Sequence, residues 1–300
     1  MNSIRPWILA ARPKTLFATL APIIVGISLS YKISATINWG LTVLIVLSAI
    51  LLQIGSNYAN DAYDYLKGAD TLNRKGPKRM VQGGILSANS VLNAMYIIFI
   101  LSVLVGYFLA RIGGWPIIVI GLSSIVFAII YTGGPYPLAY NGLGEITVFI
   151  FFGIVATLGT LYLQIVNIDS YLNFFTAETF VAASSVGFLN TAILVVNNLR
   201  DINSDKLADK KTLAVKFGRQ FACYEFTFLL IINCLCYLWL AFKWGNYMLI
   251  IAAILIAIPS IYLILKIFKF EHIDLNIILE RTAQLSFFNS IMFFVLIVIW

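Results

Sequence analysis

Charge is what this sequence has least of. Charged residues make up 11% of the chain against 61% hydrophobic, with a mean hydropathy of +0.93. Soluble domains carry about 25% charged residues, so this composition excludes an ordinary soluble domain. Histidine is represented once, by His272 in Glu271-His272-Ile273-Asp274, which reads as a loop residue rather than a ligand. The three cysteines, Cys223, Cys234 and Cys236, fall in one apolar segment. They form no disulfide or zinc framework and read as small hydrophobes. A glycine-rich phosphate loop of the Walker type is missing, which argues against an ATP-driven pump. Low-complexity linkers and a soluble appendage are missing too, so residues 1–300 are read as a single membrane domain. The N-terminal stretch lacks a strong charged leader, a small-residue cleavage site and an organelle transit pattern. It is expected to be a retained helix rather than a signal peptide.

What remains is largely apolar helix. A span needs roughly 20 mainly apolar residues. Nine segments qualify, near 15–31, 39–57, 90–110, 114–132, 145–166, 179–198, 221–242, 246–267 and 284–300. The expected fold is therefore all-α, a polytopic membrane protein of nine transmembrane helices. Pro22 interrupts the first of them. With nine spans, only Lys32, Arg111 and Lys243 lie on one side, and every other Lys and Arg lies on the other. That asymmetry predicts a cytoplasmic N-terminus and cytoplasmic loops at 58–89 and 199–220. The net charge of +7 then points to anionic headgroups and phosphates rather than nucleic acid. Trp and Phe residues read as lipid-facing or interfacial anchors.

The scarce acids are not scattered. Asn60-Asp61-Ala62-Tyr63-Asp64, with Gly68 and Asp70, forms one cluster. Asn197-Asn198-Leu199-Arg200-Asp201, with Asp205 and Asp209, forms another, and the two hold nearly half of the chain's 13 carboxylates. A carboxylate at the edge of hydrocarbon is costly and marks function by default. Asn57 and Asp61 are spaced to share a helical face, as are Asn60 and Asp64, provided the second helix continues through them. Asn197, Asp201 and Asp205 recur in the same register, and Asp209 would extend the row. Magnesium favours oxygen ligands and commonly bridges carboxylates to substrate phosphates, so paired clusters suit a diphosphate. Arg200, Lys206, Lys210 and Lys211 interleave with the second row, and Arg74, Lys75, Lys78 and Arg79 follow the first. Such cations can hold phosphate oxygens directly, with Arg200 the strongest candidate. Each cluster also follows a long apolar run, which hints at an internal repeat of spans 2–3 in spans 6–7.

Tyr131-Thr132-Gly133-Gly134-Pro135-Tyr136-Pro137 closes the fourth span, and Gly142-Leu143-Gly144-Glu145 opens the fifth. The Gly and Pro density makes a tight turn. It sets Tyr131 and Glu145 where a substrate ring would be gripped.

These stretches, together with Ala11-Arg12-Pro13-Lys14-Thr15-Leu16 and Lys210-Lys211-Thr212-Leu213-Ala214-Val215, resemble the UbiA superfamily of intramembrane prenyltransferases. Within it the chain looks closest to the 1,4-dihydroxy-2-naphthoate polyprenyltransferases of menaquinone synthesis. Asp209 is a departure, since relatives often carry Gly there, and it is left out of the primary site. The resemblance implies that Asn60, Asp61 and Asp64 hold one magnesium ion and Asp201 with Asp205 another. It further implies that Asn57, Asn60, Asn197, Arg200, Lys211, Tyr131 and Glu145 bind substrate. The implied substrates are a polyprenyl diphosphate and 1,4-dihydroxy-2-naphthoate, joined with loss of diphosphate and CO2 in the bacterial inner membrane. Two other readings are weighed: a relative using homogentisate or 4-hydroxybenzoate, and a secondary transporter. Transporters hold their coupling acids near the bilayer midplane, whereas these acids sit at helix ends beside basic loops.

Overall fold

The computed structural model describes residues 4–69, 76, 79–168, 171–271 and 274–300, and every regular element among them is helical. Hydrocarbon offers no hydrogen bonds to a backbone, so long apolar runs close their own N–H and C=O groups as helix. The chain opens with α1 (Arg5–Ala11) and α2 (Leu16–Ser34). Arg12 between them has φ 51°, a left-handed turn uncommon for a residue with a Cβ. α3 (Trp39–Leu66) is capped by Asn38, whose side chain accepts the Leu41 N–H at 3.0 Å. α4 (Ala88–Gly113) is capped in the same way by Ser87. Gly114, at φ 67°, turns the chain into α5 (Trp115–Ile130).

Next come α6 (Gly144–Phe149) and α7 (Ala156–Ile165), joined through a π-helical stretch at Ile150–Val155. α8 (Ala177–Arg200) starts from a Thr176/Thr179 capping box and leads to the short α9 (Ile202–Leu207). α10 (Leu213–Trp244), α11 (Met248–Ile267) and α12 (Leu275–Ile299) complete the order. Eight segments are long and apolar enough to cross a bilayer, α6 and α7 counting as one and α1 with α2 as another. α5 is a ninth, shorter apolar helix. This is a multi-pass membrane architecture, and each of the nine expected segments has its helix.

Two boundaries reach well beyond the expected segments. α3 runs on to Leu66 and α12 begins at Leu275, whereas the stretch from Leu213 is separated from the expected span of α10 by the non-helical Gly218, at φ 87°. Polar side chains end a hydropathy signal, but they do not end a helix that other elements cover. The most extensive helix packing joins α3 to α4 and α8 to α10, the pairs in which a repeat was expected.

Polarity is arranged inside out. Large side chains on α4 and α11, such as Ile97, Leu104, Phe108, Ile258 and Leu265, are exposed, as a lipid-facing wall should be. Trp39, Trp115 and Trp300 are exposed at helix termini, in keeping with interfacial anchors. Ser28, Ser185, Asn190, Ser286 and Ser290 are buried and bonded. Asn190 joins several elements: its Nδ2 donates to the carbonyls of Ala18 (3.0 Å) and Phe152 (2.9 Å). Its Oδ1 accepts from Ser286 (2.9 Å). The Phe152 carbonyl lies in the π-helical stretch, where α-helical bonding is displaced. Cys223 and Cys236 are buried, Cys234 is half-buried, and all are free thiols.

The main core lies among α2, α8, α10, α11 and α12. Two smaller clusters flank α3: one gathers Ala59, Ala62 and Met80, the other Ile23, Ile45 and Leu163.

Candidate active site

A cavity of about 600 Å³ is walled by α2, α3, α4, α5, α7 and α8. Most of its lining is apolar, reaching Ile45, Leu109 and Ile117 at the starts of α3 and α5 and the end of α4. Polar lining gathers near the end of α3, where Asn57, Asn60 and Asp64 meet Arg79, Tyr131, Asn197 and Lys210.

Because α3 does continue, its helical repeat brings the first cluster onto neighbouring turns. Asn57 donates to the Ala11 carbonyl (2.8 Å) and to Thr15 Oγ1 (3.0 Å), fastening the break between α1 and α2 to α3. Asn60 Oδ1 accepts from Thr132 (3.0 Å), and its carbonyl accepts from Arg79. Asp61 is 1% exposed. Its Oδ2 accepts the Met80 N–H at 3.3 Å, while Oδ1 has no hydrogen-bond partner among the described residues. Asp64 accepts from the Tyr140 hydroxyl (2.8 Å) and pairs with Arg79 (2.7 Å).

The second cluster crosses a helix break. α8 ends at Arg200, and Asp201 caps it. Arg200 is buried and grips Asp201 with Nε (2.8 Å) and Nη2 (2.6 Å). It also donates to Asn197 (2.7 Å) and to Asn276 of α12 (3.0 Å). Asp205 is buried on α9.

The geometry that brings the clusters together is Lys210, whose Nζ lies 3.9 Å from both Asp64 and Asp205. Its placement comes from the end of α9. The Lys210 N–H bonds the Asp205 carbonyl (2.9 Å), and the Asp209 N–H approaches that of Lys206 (3.4 Å). This is a Schellman turn with Asp209 as its left-handed residue, at φ 53°. Glycine suits that position best. We therefore expect Asp209→Gly to raise the melting temperature in detergent, worth up to ~1 kcal/mol for relief of left-handed strain. A lowered melting temperature would refute this account of the turn.

Two sequence expectations are corrected here. Asp209 does not extend the aspartate row: its side chain is 84% exposed and pairs outward with Lys211 at 3.4 Å. Lys211 is likewise turned away, and Lys210 takes the place in the site expected of it. A left-handed residue reverses which neighbour points inward, and helical spacing cannot register that.

Tyr131 lines the cavity. Its phenol is pushed upward by burial first and then by the charges of Glu145, Asp64 and Asp205, so it remains neutral. Glu145 does not line the cavity. It is buried behind the wall, with Oε1 accepting from Asn198 at 2.9 Å. Arg200 is also absent from the lining, being committed to Asp201, Asn197 and Asn276. Lys206 is exposed. Asp70, Arg74, Lys75, Lys78 and His272 lie outside the described residues. Sequence reasoning passed over Tyr140, which bonds Asp64 and carries Lys210 5.3 Å from its ring centroid. A tyrosine in a Gly/Pro-rich turn gives no signal of such a partner.

Among the described residues, no three acidic, histidine or cysteine side chains converge on one point as a self-sufficient metal centre. Each cluster offers two carboxylates, the first with Asn60 beside them and with the unpartnered Asp61 Oδ1. That donor set fits magnesium, which keeps waters and takes substrate oxygens, better than an ion caged by protein alone.

The model of the UbiA prenyltransferase family matches residues 19–275. A protein of Haemophilus influenzae named 1,4-dihydroxy-2-naphthoate octaprenyltransferase is 36% identical, the match covering 97% of this chain and 95% of that protein. The protein of the same name from Escherichia coli is 33% identical over 98% of this chain and 95% of its own length. The one from Mycobacterium tuberculosis is 39% identical over 73% of this chain and 72% of its own. Among solved structures, a UbiA homolog from Archaeoglobus fulgidus bound to DMAPP and Mg2+ superposes with a TM-score of 0.70 at 16% identity. That match covers 98% of this chain and 99% of the other.

Proposed function

This chain belongs to the UbiA prenyltransferase family, and we propose that it transfers a polyprenyl group from a polyprenyl diphosphate to 1,4-dihydroxy-2-naphthoate. Diphosphate and carbon dioxide leave, and demethylmenaquinol, the reduced form of demethylmenaquinone, is formed. The observation that carries this reading is the meeting of both aspartate clusters around Lys210 at the polar end of an apolar cavity. The naphthoate acceptor, rather than homogentisate or 4-hydroxybenzoate, is supported by the likeness to proteins named as naphthoate enzymes that match nearly end to end.

In this reading Asn60, Asp61 and Asp64 are ligands for one magnesium ion, and Asp201 with Asp205 for a second. Bound magnesium would supply charge neutralisation for the departing diphosphate. Arg79 and Lys210 stand beside the same carboxylates and take phosphate oxygens. The carbon–oxygen bond of the donor breaks, and the apolar walls keep water from the allylic cation left behind. The electron-rich ring attacks that cation. The bond to the carboxylate then breaks, its electrons return to the ring, and CO2 departs. Tyr131, as a neutral phenol, offers the ring a hydrogen bond or an edge, while Asn198, which also lines the cavity, holds Glu145 behind the wall. Asn57 and Asn197 face the cavity while bonded to their own chain, so they shape it as well as line it. The Lys and Arg asymmetry supports an inner-membrane orientation with the N-terminus and the aspartate ends cytoplasmic.

The test is an assay in membranes with magnesium, a polyprenyl diphosphate and 1,4-dihydroxy-2-naphthoate, following diphosphate, CO2 and quinone. Metal-dependent formation of demethylmenaquinol, read as demethylmenaquinone after oxidation in air, is expected. Diphosphate release with another aromatic, and none with the naphthoate, would move the chain to another branch of the family.

A further inference from the structure

Arg79 is not placed like a surface arginine. It is 8% exposed, and Met80 and Val81 beside it are buried against α3 and α4. The pair Arg79-Met80 engages Asn60, Asp61 and Asp64 of the first cluster. Arg79 donates to the Asn60 carbonyl and pairs with Asp64 Oδ2, and the Met80 N–H reaches Asp61. Three of the four aspartates thus have a protein cation beside them: Arg79 and Lys210 at Asp64, Lys210 at Asp205, and Arg200 at Asp201. Asp61 keeps an oxygen that no hydrogen bond fills among the described residues.

Formal charge gives this arrangement a consequence. Among the described residues, four aspartates against Arg79, Lys210 and Arg200 leave one negative charge. Dications arriving alone would overshoot that charge inside a poorly screened cavity and compete with Arg79 for Asp64. A diphosphate ester alone, with about three negative charges, would meet carboxylates already in slight excess. Two dications with the ester bring one positive charge, which cancels the residue. Charges this close and this sheltered interact strongly.

We propose that Arg79 is a positioning residue that couples the two ligands: it occupies Asp64 until metal and diphosphate arrive together, then moves to a phosphate oxygen. The proposal rests on the diphosphate-site reading above. Coupling of this kind is reciprocal, so diphosphate tightens metal and metal tightens diphosphate by the same factor. Arginine suits the exchange because its planar fork fits a carboxylate and a phosphate equally well.

The experiment is equilibrium dialysis of Mn2+ against the full chain in nanodiscs, with and without inorganic pyrophosphate. In the wild type, pyrophosphate should tighten Mn2+ binding by about tenfold or more, a coupling within the usual range. In Arg79→Gln, Mn2+ alone should bind several-fold tighter than to the wild type, and the pyrophosphate effect should shrink. Arg79→Lys keeps the charge and should keep most of the coupling. Wild-type protein that binds Mn2+ as tightly without pyrophosphate as with it would overturn the proposal, whatever the variants' folding. An Arg79→Gln variant that folds yet shows wild-type affinities would overturn the role of Arg79 and leave the diphosphate site standing. Wild-type protein that binds no Mn2+ under either condition would remove the diphosphate-site reading itself.

Discussion

Asp64→Asn should reduce kcat/KM by about a thousandfold, equivalent to ~4 kcal/mol of transition-state stabilisation. The substitution keeps the shape of the side chain and leaves an oxygen for the Tyr140 hydroxyl, now 2.8 Å away. It removes the charge that Arg79 and Lys210 share. Arg79 would lose its Asp64 partner and Lys210 would keep only Asp205 of its two carboxylates, and breaking a buried pair costs about 3–5 kcal/mol. Lower thermal stability in detergent should therefore accompany the lost activity. Asp61→Asn gives the informative contrast. Its Oδ2 bond to the Met80 N–H survives as an amide oxygen bond, and the other position has no hydrogen bond to lose. We expect a comparable loss of activity with stability unchanged or raised, as when a strained functional group is neutralised. Asp61→Asn protein turning over at the wild-type rate would remove Asp61 from the metal site.

Arg200→Lys should lower kcat by roughly a hundredfold, in the range by which mutation of groups orienting a metal ligand usually reduces activity. The guanidinium makes two bonds to Asp201 while reaching Asn197 and Asn276, and a single ammonium cannot span those positions. Two roles for Arg200 can be separated kinetically. If it aligns Asp201, the variant needs more magnesium for half-maximal rate, and the donor KM at saturating metal stays near that of the wild type. If it holds the diphosphate, as the sequence suggested, the donor KM rises and the magnesium requirement is unmoved. The buried, fully engaged geometry predicts the first outcome. Arg200→Met, which keeps length but no charge, should lose activity further and unfold at lower temperature.

Much of the site was legible because membrane-embedded acids are costly and few. Asp61, Asp64, Asp201 and Asp205 stood out by scarcity alone, and all four are buried at helix ends. The Tyr131 stretch was legible as a turn from its Gly and Pro, and Tyr131 does face the cavity. Glu145 and Arg200 were legible as unusual but not as to which way they face. Both are taken up by neighbours, Asn198 for one and Asp201 for the other, behind the cavity wall. Arg79 was legible only as one of a basic group; its burial depends on Met80 and Val81 packing onto α3 and α4.

The sequence by itself determined the membrane-spanning class, the approximate number of apolar spans and the two acidic clusters. Each follows from local composition: transfer of apolar side chains to lipid is additive along a run, and carboxylates at its end cannot hide. Tertiary structure alone decided that Lys210 rather than Lys211 enters the site, and that Tyr140 bonds Asp64. It also decided that Arg79 returns from beyond α3 to the aspartates it follows. Those choices turn on one left-handed residue at Asp209 and on contacts between segments far apart in the chain. Such contacts have no signature in composition or period, because they exist only once the helices have met.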